Sequence, residues 1–185
     1  MTRKTLIFVV ALLVAGLSSG VSVLAAEQST NITVNAQVQS VISITTSGSV
    51  LMNIVPGTGV SSGVDTVTVN TNSHNGYVLN LKATTSDRLV KGGDSIGPTS
   101  GSWLNPSTMS SDSWGYRIDN LGSFGGPTST SYAKVTLAGQ DVKTTSGHTT
   151  GGGDVTSVRY GAQVGVGQPS GDYTGQVTYT ATTNS

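Results

Sequence analysis

Past residue 26 the chain sets apolar side chains at every second position, in segment after segment. Ile32, Val34, Ala36, Val38, Ile42 and Ile44 share one parity, while Thr33, Asn35, Gln37, Gln39 and Ser43 take the other. A period of two is a strand with one face buried and one face wet. The run is long for one strand, so a bend near Gln39–Ser40 is expected to let it serve two sheets in succession. Val67 and Val69 alternate before Ser73-His74-Asn75-Gly76, and Tyr77, Leu79 and Leu81 alternate after it. Asn-Gly tolerates positive φ, so this pattern predicts a β-hairpin. The period returns in Trp114, Tyr116 and Ile118, in the stretch Tyr132–Ala138, and in Val158, Tyr160, Ala162, Val164 and Val166. At the end of the chain Tyr173, Val177, Tyr179 and Ala181 alternate with Thr174, Gln176, Thr178 and Thr180. The turn residues Gln168-Pro169-Ser170-Gly171 predict that this last strand pairs back on the one before it.

Nothing after residue 26 carries a helical period. Lys is sparse and Glu27 is the only Glu, whereas Thr, Val, Gly, Ser and Asn abound. Those residues suit pleated surfaces and turns. So much Ser, Thr and Gly invites disorder, but regular apolar alternation argues for a packed core. The fold class expected is all-β: an Ig-like antiparallel β-sandwich of about eight to ten strands. Two polar, Gly-rich stretches, at about 87–112 and 139–154, are expected to be long loops, the first with one or two short strands.

The first residues have the layout of an export signal. Arg3 and Lys4 precede an apolar run from Leu6 to about Leu17, and small residues at Ala25 and Ala26 suit a signal peptidase. The expected division is a signal peptide over 1–25 and a single sandwich domain over 26–185. The rival reading is an uncleaved anchor from Leu6 to Ala26, near the ~20 residues a span requires. Ser18, Ser19, Gly20 and Ser22 weaken that span. The chain has no cysteine, so lipid attachment at a cysteine and disulfide stapling are excluded. No sortase-type motif is present. The expected location is therefore secreted and cell-surface associated, with no membrane contact once the signal is removed.

The stretch RYGAQVGVGQPSGDYTGQVTYTATTN resembles the terminal hairpin of many secreted bacterial cell-surface proteins of the Ig-like β-sandwich kind. In those a Tyr-Gly strand leads into P-[SA]-G-x-Y and then V-x-Y-x-A. DTVTVNTNSHNGYVLNLKATTSD and SWGYRIDNLGSF resemble other parts of the same group, so the likeness covers most of Thr30 to Asn184. It implies an exported sandwich and carries no catalytic residues. A weaker likeness is to WxL-type cell-wall proteins. Their W-x-L pairs are absent here: Trp103 is followed directly by Leu104, and Trp114 by Gly-Tyr.

Residue chemistry narrows the function by elimination. Charged residues make up 10% of the chain, with formal net charge zero. No basic patch serves a phosphate backbone, so nucleic acid is not an expected partner. His74 and His148 sit alone in polar turns, with no zinc-site spacing around them. The eight Asp residues form no D-x-D-x-D-G loop. Asp94 and Asp154, each after a Gly, are loop carboxylates of the kind that join a calcium site; the simpler reading is a turn-forming Asp. Neither Gly-rich stretch has phosphate-loop context. A Lys–Asn cross-link would need a buried lysine, and Lys82 has the outward parity of its strand. Catalytic, cofactor and metal sites are therefore all expected to be none.

The aromatics carry what remains. Trp114 and Tyr116 lie on one strand, Trp114 as an expected core residue. Trp103, in a Gly/Ser/Pro-rich stretch, is the candidate surface contact. The expected function is a non-catalytic structural or adhesive surface protein. Its alternatives are a carbohydrate-binding module for cell-wall or host glycan, and a fibre subunit that binds other surface proteins by strand addition. For the last, the N-terminal and C-terminal strands are equal candidates to be exchanged.

Overall fold

The structure, a computed structural model, describes residues 27–119, 121–126 and 128–185. The expected signal peptide, 1–25, lies outside the described residues. The chain divides into two units, Met1–Gln37 and Val38–Ser185. In the first, the described residues 27–37 form no strand and are exposed throughout. Among the described residues no helix is long and apolar enough to cross a membrane.

The second unit is all-β and sandwich-like, with eleven strands and one 3-10 turn, Gly122–Phe124, among the described residues. One sheet has the order β1 (Ile42–Thr45), β2 (Ser61–Thr71), β10 (Asp154–Gln163), β7 (Ser113–Ile118), β5 (Asp94–Pro98), β4 (Leu89–Lys91). A second has the order β11 (Val177–Thr183), β3 (Tyr77–Ala83), β9 (Gln140–Thr144). A small pair joins β6 (Ser107–Thr108) to β8 (Ser131–Tyr132). All pairings are antiparallel except β5 with β7.

Alternation fixes which face each strand buries. Val67 and Val69 on β2, Tyr77, Leu79 and Leu81 on β3, and Val158, Tyr160 and Ala162 on β10 all turn inward. With Trp114, Tyr116 and Ile118 of β7 they form one continuous core. Each fully buried Leu or Val there contributes about 1.5–3 kcal/mol relative to exposure.

Five expectations about connection and extent are corrected. The turn at Ser73–Gly76 exists, with Gly76 at φ 79° and its N–H donating to the Ser73 carbonyl at 3.2 Å. It is not a hairpin, because β2 pairs with β1 and β10 while β3 pairs with β11 and β9. The two apolar faces meet across the core, and the turn carries the chain from one sheet to the other. β10 and β11 likewise lie in different sheets, so the last strand does not pair back across Gln168–Gly171. The expected strand at Tyr132–Ala138 shrinks to β8, although Val135 is buried. The expected loop 139–154 contains β9, an edge strand with one buried apolar residue, Val142.

The fifth correction is at the N-terminal end of the sandwich. Of the alternating run Ile32–Ile44, only β1 is a strand. Residues 27–41 form none, and Ile32, Val34 and Val38 are 83%, 87% and 83% exposed. Val50, Met52 and Ile54 do alternate in burial against the core, without joining a ladder.

All six residues of β7 are buried, so its outer face is covered as well. Ala133 exchanges both backbone hydrogen bonds with Tyr116, at 2.8 Å each. From beside it the Tyr132 ring reaches over Gly161, which pairs directly with Gly115 across β10 and β7. A Cβ on Gly161 would lie 2.7 Å from Tyr132 Cε1, and one on Gly115 would lie 2.4 Å from the Ala133 carbonyl oxygen. The glycines of SWGYR and RYGAQ are there for close approach, as Gly is within strands generally. Arg117, on the same face, stacks on the Tyr132 ring at 5.4 Å and shares Asp119 with Arg159.

Candidate functional site

Trp103, expected as a surface contact, is only half exposed. Its ring stacks on Tyr116 at 6.5 Å between centroids and meets Phe124 edge-on at 5.3 Å. The indole thus extends the core margin, and Leu104 beside it is the exposed residue. Trp114 is buried as expected, and its indole N–H donates to the Asp87 carbonyl at 2.7 Å. The Tyr116 hydroxyl is buried without a partner, and burial raises its pKa.

The two loop carboxylates are not brought together. Asp94 lies 3.9 Å from Lys91 on the β4–β5 turn. Asp154 opens β10 and accepts from Lys143 Nζ at 2.6 Å and from the Tyr77 hydroxyl at 2.8 Å. Lys143 also donates to Thr156 Oγ1 at 3.2 Å. The cluster joins β3 and β9 of one sheet to β10 of the other. Burial, then the Asp154 hydrogen bond and charge, push the Tyr77 phenol up. Among the described residues no group of three or more acids and histidines is placed to hold a metal.

Two shallow hollows flank the exposed loop at His148–Thr150. One, of about 410 Å³, is bounded by Ile42, Asn70, Asn72 and His148; the other, about 320 Å³, by Tyr77, Thr145, Thr149 and Asp154. Their walls mix hydroxyls, amides and one imidazole with the apolar Val41 and Ile42 and the Asp154 carboxylate. His74 stands apart, exposed in the β2–β3 turn.

A second tie joins the two sheets at the core margin. The Tyr160 and Tyr179 hydroxyls share a hydrogen bond of 2.6 Å between β10 and β11. Burial first, then the Tyr160 hydroxyl and the Asp65 carboxylate, raise the Tyr179 pKa. Burial raises that of Tyr160 as well. Asp65, itself buried, accepts from the Ser47 N–H at 2.9 Å.

β11, the last strand, forms an edge. Thr84 N–H donates to Gln176 O and Asn184 N–H to Gly76 O, each at 3.0 Å, which sets the phase of its ladder with β3. In an antiparallel ladder alternate residues face the partner. Residues 176, 178, 180, 182 and 184 therefore turn their backbone groups to β3. Val177, Tyr179, Ala181 and Thr183 turn theirs to the open side, where no backbone bond meets them among the described residues. Their side chains are half-buried at the core margin. Asn184 Nδ2 pins the strand's end by donating to Asn75 O and Thr145 O, both at 2.8 Å.

The other edges are short, charged or occupied. β9 carries Asp141 and Lys143. β4 exchanges two hydrogen bonds with Thr174, at 2.8 and 3.0 Å. β1 has four residues. β11 has seven, with no charge and no proline. Edges of monomeric sheets are usually blunted by such devices; β11 has no charge or proline to blunt it. Its nearest neighbour beyond β3 is β1 of the other sheet, within 8 Å between Cα atoms and without a backbone ladder among the described residues. The alternation of β11 was legible in the sequence; its edge position was not, because that depends on which strands pair.

No protein-family model matches this chain, and neither a curated protein nor a solved structure does. The class rests on the fold alone: an all-β, sandwich-like protein whose last strand, β11, forms an uncharged sheet edge.

Proposed function

We propose that the chain is a non-catalytic, exported protein of the cell surface with a structural or adhesive role, acting through the open edge of β11. The observation that carries this reading is that edge: four residues whose N–H and C=O groups meet no backbone partner among the described residues, on an uncharged strand beside half-buried apolar side chains. Such an edge accepts a further strand from a partner, with backbone hydrogen bonds giving affinity and alternate side chains giving specificity. The Asp154 cluster and the Tyr160–Tyr179 pair tie the two sheets together and hold the edge in place. The export signal in residues 1–25 supplies the location.

The test is fractionation of the native cells, followed with an antibody against the chain. Wild type should stay on the cell through salt washes. Ala181→Pro should be released to the medium, because it removes an outward N–H and leaves the β3 ladder whole. Retention of both forms, or confinement of wild type inside the cell, refutes the reading.

A second reading, carbohydrate recognition, draws on the hollows at His148–Thr150, where Thr149, Thr150 and Asn72 offer polar groups beside apolar surface, rather than on Trp103. A glycan array carries that test: binding lost in Thr149→Ala supports it, and a blank array retires it.

A further inference from the structure

The open edge has a matching strand in this same sequence. Residues 30–38, TNITVNAQV, contain no charge, glycine or proline. They form no strand, and their alternating apolar residues Ile32, Val34 and Val38 stand more than four-fifths exposed. A segment with strand periodicity, free backbone groups and an unburied apolar face is half of a ladder. The β11 edge, with Val177, Tyr179 and Ala181 at the core margin, is the other half.

We propose that residues 30–38 of one molecule add as a strand to β11 of a second copy. This rests on the reading of β11 as the working edge and names its partner. In the joined sheet, Ile32, Val34, Ala36 and Val38 cover the margin beside Tyr179 and Ala181. Thr33, Asn35 and Gln37 then lie on the solvent face with Thr178, Thr180 and Thr182. Neither strand has a charge to repel the other. Only Gln39–Val41 separates the donated segment from β1, so donor and acceptor bodies stack closely. Donor and acceptor are different surfaces, so the contact is head-to-tail and each added copy presents a new free edge. Such a contact propagates as an open filament unless its rotation closes a ring.

The chain has no cysteine, which gives a clean background for cross-linking. Exported protein carrying Asn35→Cys is mixed with protein carrying Thr178→Cys, Thr180→Cys or Thr182→Cys and oxidised. A disulfide between the two chains at one of the three positions is expected, and light scattering of wild type should show oligomers. Val34→Lys on the donor side, and Ala181→Pro or Thr183→Lys on the acceptor side, should each reduce the cross-linked fraction at least tenfold while circular dichroism stays native. Thr183→Lys keeps the test sound if Ala181→Pro perturbs the fold. A monomer with no inter-chain cross-link overturns the proposal, as does assembly that ignores all three substitutions. If Ala181→Pro frees the protein from cells yet no cross-link between copies forms, the edge serves another partner. The inference then falls while the proposed function stands.

Discussion

Replacing Gly161 and Gly115 by alanine, one at a time, tests how the outer face of β7 and β10 is built. On Gly161 the new methyl would meet Tyr132 Cε1 at 2.7 Å, Cζ at 2.8 Å and Val60 Cγ1 at 3.0 Å. Carbon atoms pack best at roughly 3.5–4.0 Å, so the ring must retreat by roughly 0.8 Å. That ring is buried and stacks on Arg117 at 5.4 Å. Overpacking of this kind costs about 1–3 kcal/mol. Alanine recovers about 0.5–1 kcal/mol of the conformational cost of glycine in a strand. The net loss expected for Gly161→Ala is therefore about 1–2 kcal/mol. On Gly115 the methyl would meet a backbone atom, the Ala133 carbonyl oxygen, at 2.4 Å, and Thr99 Cγ2 at 2.8 Å. That carbonyl is held by the Tyr116 N–H at 2.8 Å, so it can yield only by breaking the bridge. Gly115→Ala should cost about 3 kcal/mol or more. Urea unfolding followed by circular dichroism measures both. Removing the ring separates the causes: in a Tyr132→Ala background the added loss from Gly161→Ala should vanish, and that from Gly115→Ala should persist. A neutral Gly161→Ala, or losses at 161 and 132 that simply add, would show that the ring does not rest on that glycine.

Tyr160→Phe and Tyr179→Phe should each cost about 1–2 kcal/mol by leaving a buried hydroxyl without its partner at 2.6 Å, and the double mutant should cost less than their sum; a double-mutant cycle by urea unfolding reads the coupling. Tyr116, Tyr160 and Tyr179 have folded pKa values raised by burial, so their neutral forms contribute stability that is fully present below the unfolded value near 10 and lost as pH rises above it, by at most about 1.4 kcal/mol per pH unit for each group. Tyrosinate absorbance should therefore rise together with loss of the circular dichroism signal, and these phenols ionising near pH 10 in a folded protein would contradict the assignment. Asp154→Ala should cost about 1–3 kcal/mol because it leaves the Tyr77 hydroxyl without its acceptor, whereas Lys143→Met should cost under about 1 kcal/mol, since that pair is partly exposed; thermal unfolding at two salt concentrations separates the two.

Period two was enough to find β2, β3, β7, β10 and β11 and to place Trp114 in the core, because alternation reports which face is buried. It does not report the neighbour. Ser73–Gly76 needs the same positive φ at Gly76 whether the flanking strands lie side by side or face each other across the core. The choice was made by burial: with Val67, Val69, Leu79 and Leu81 all inward, the two strands do most as opposite walls. β9 was hidden for the converse reason, since an edge strand needs one buried residue, Val142, and its backbone partner supplies the rest. The Asp154 cluster was out of reach of sequence reasoning because it unites residues from three strands and two sheets. Half of Trp103's setting was out of reach of composition: Gly, Ser and Pro around it signalled an open loop, and the loop folds back so that the half-exposed indole meets Tyr116 and Phe124.

Residues 30–38 are the case where alternation and structure part, and the difference itself is informative. The pattern there is as regular as in β10, so local preference for a strand is not what is missing. What is missing is a ladder partner and a surface to cover. β11 is the mirror case, a strand with one partner, β3, and one row of backbone groups unused. In the proposed assembly the first is the donor and the second the acceptor, and two copies would satisfy both at each junction. Charge would have prevented it at little cost, since one lysine in either segment suffices to guard an edge. Both segments carry none, although β9, on the far side of the same sheet, carries Asp141 and Lys143. The charges are present on one edge of the sheet and absent from the other, and that asymmetry is what the proposed strand addition draws on.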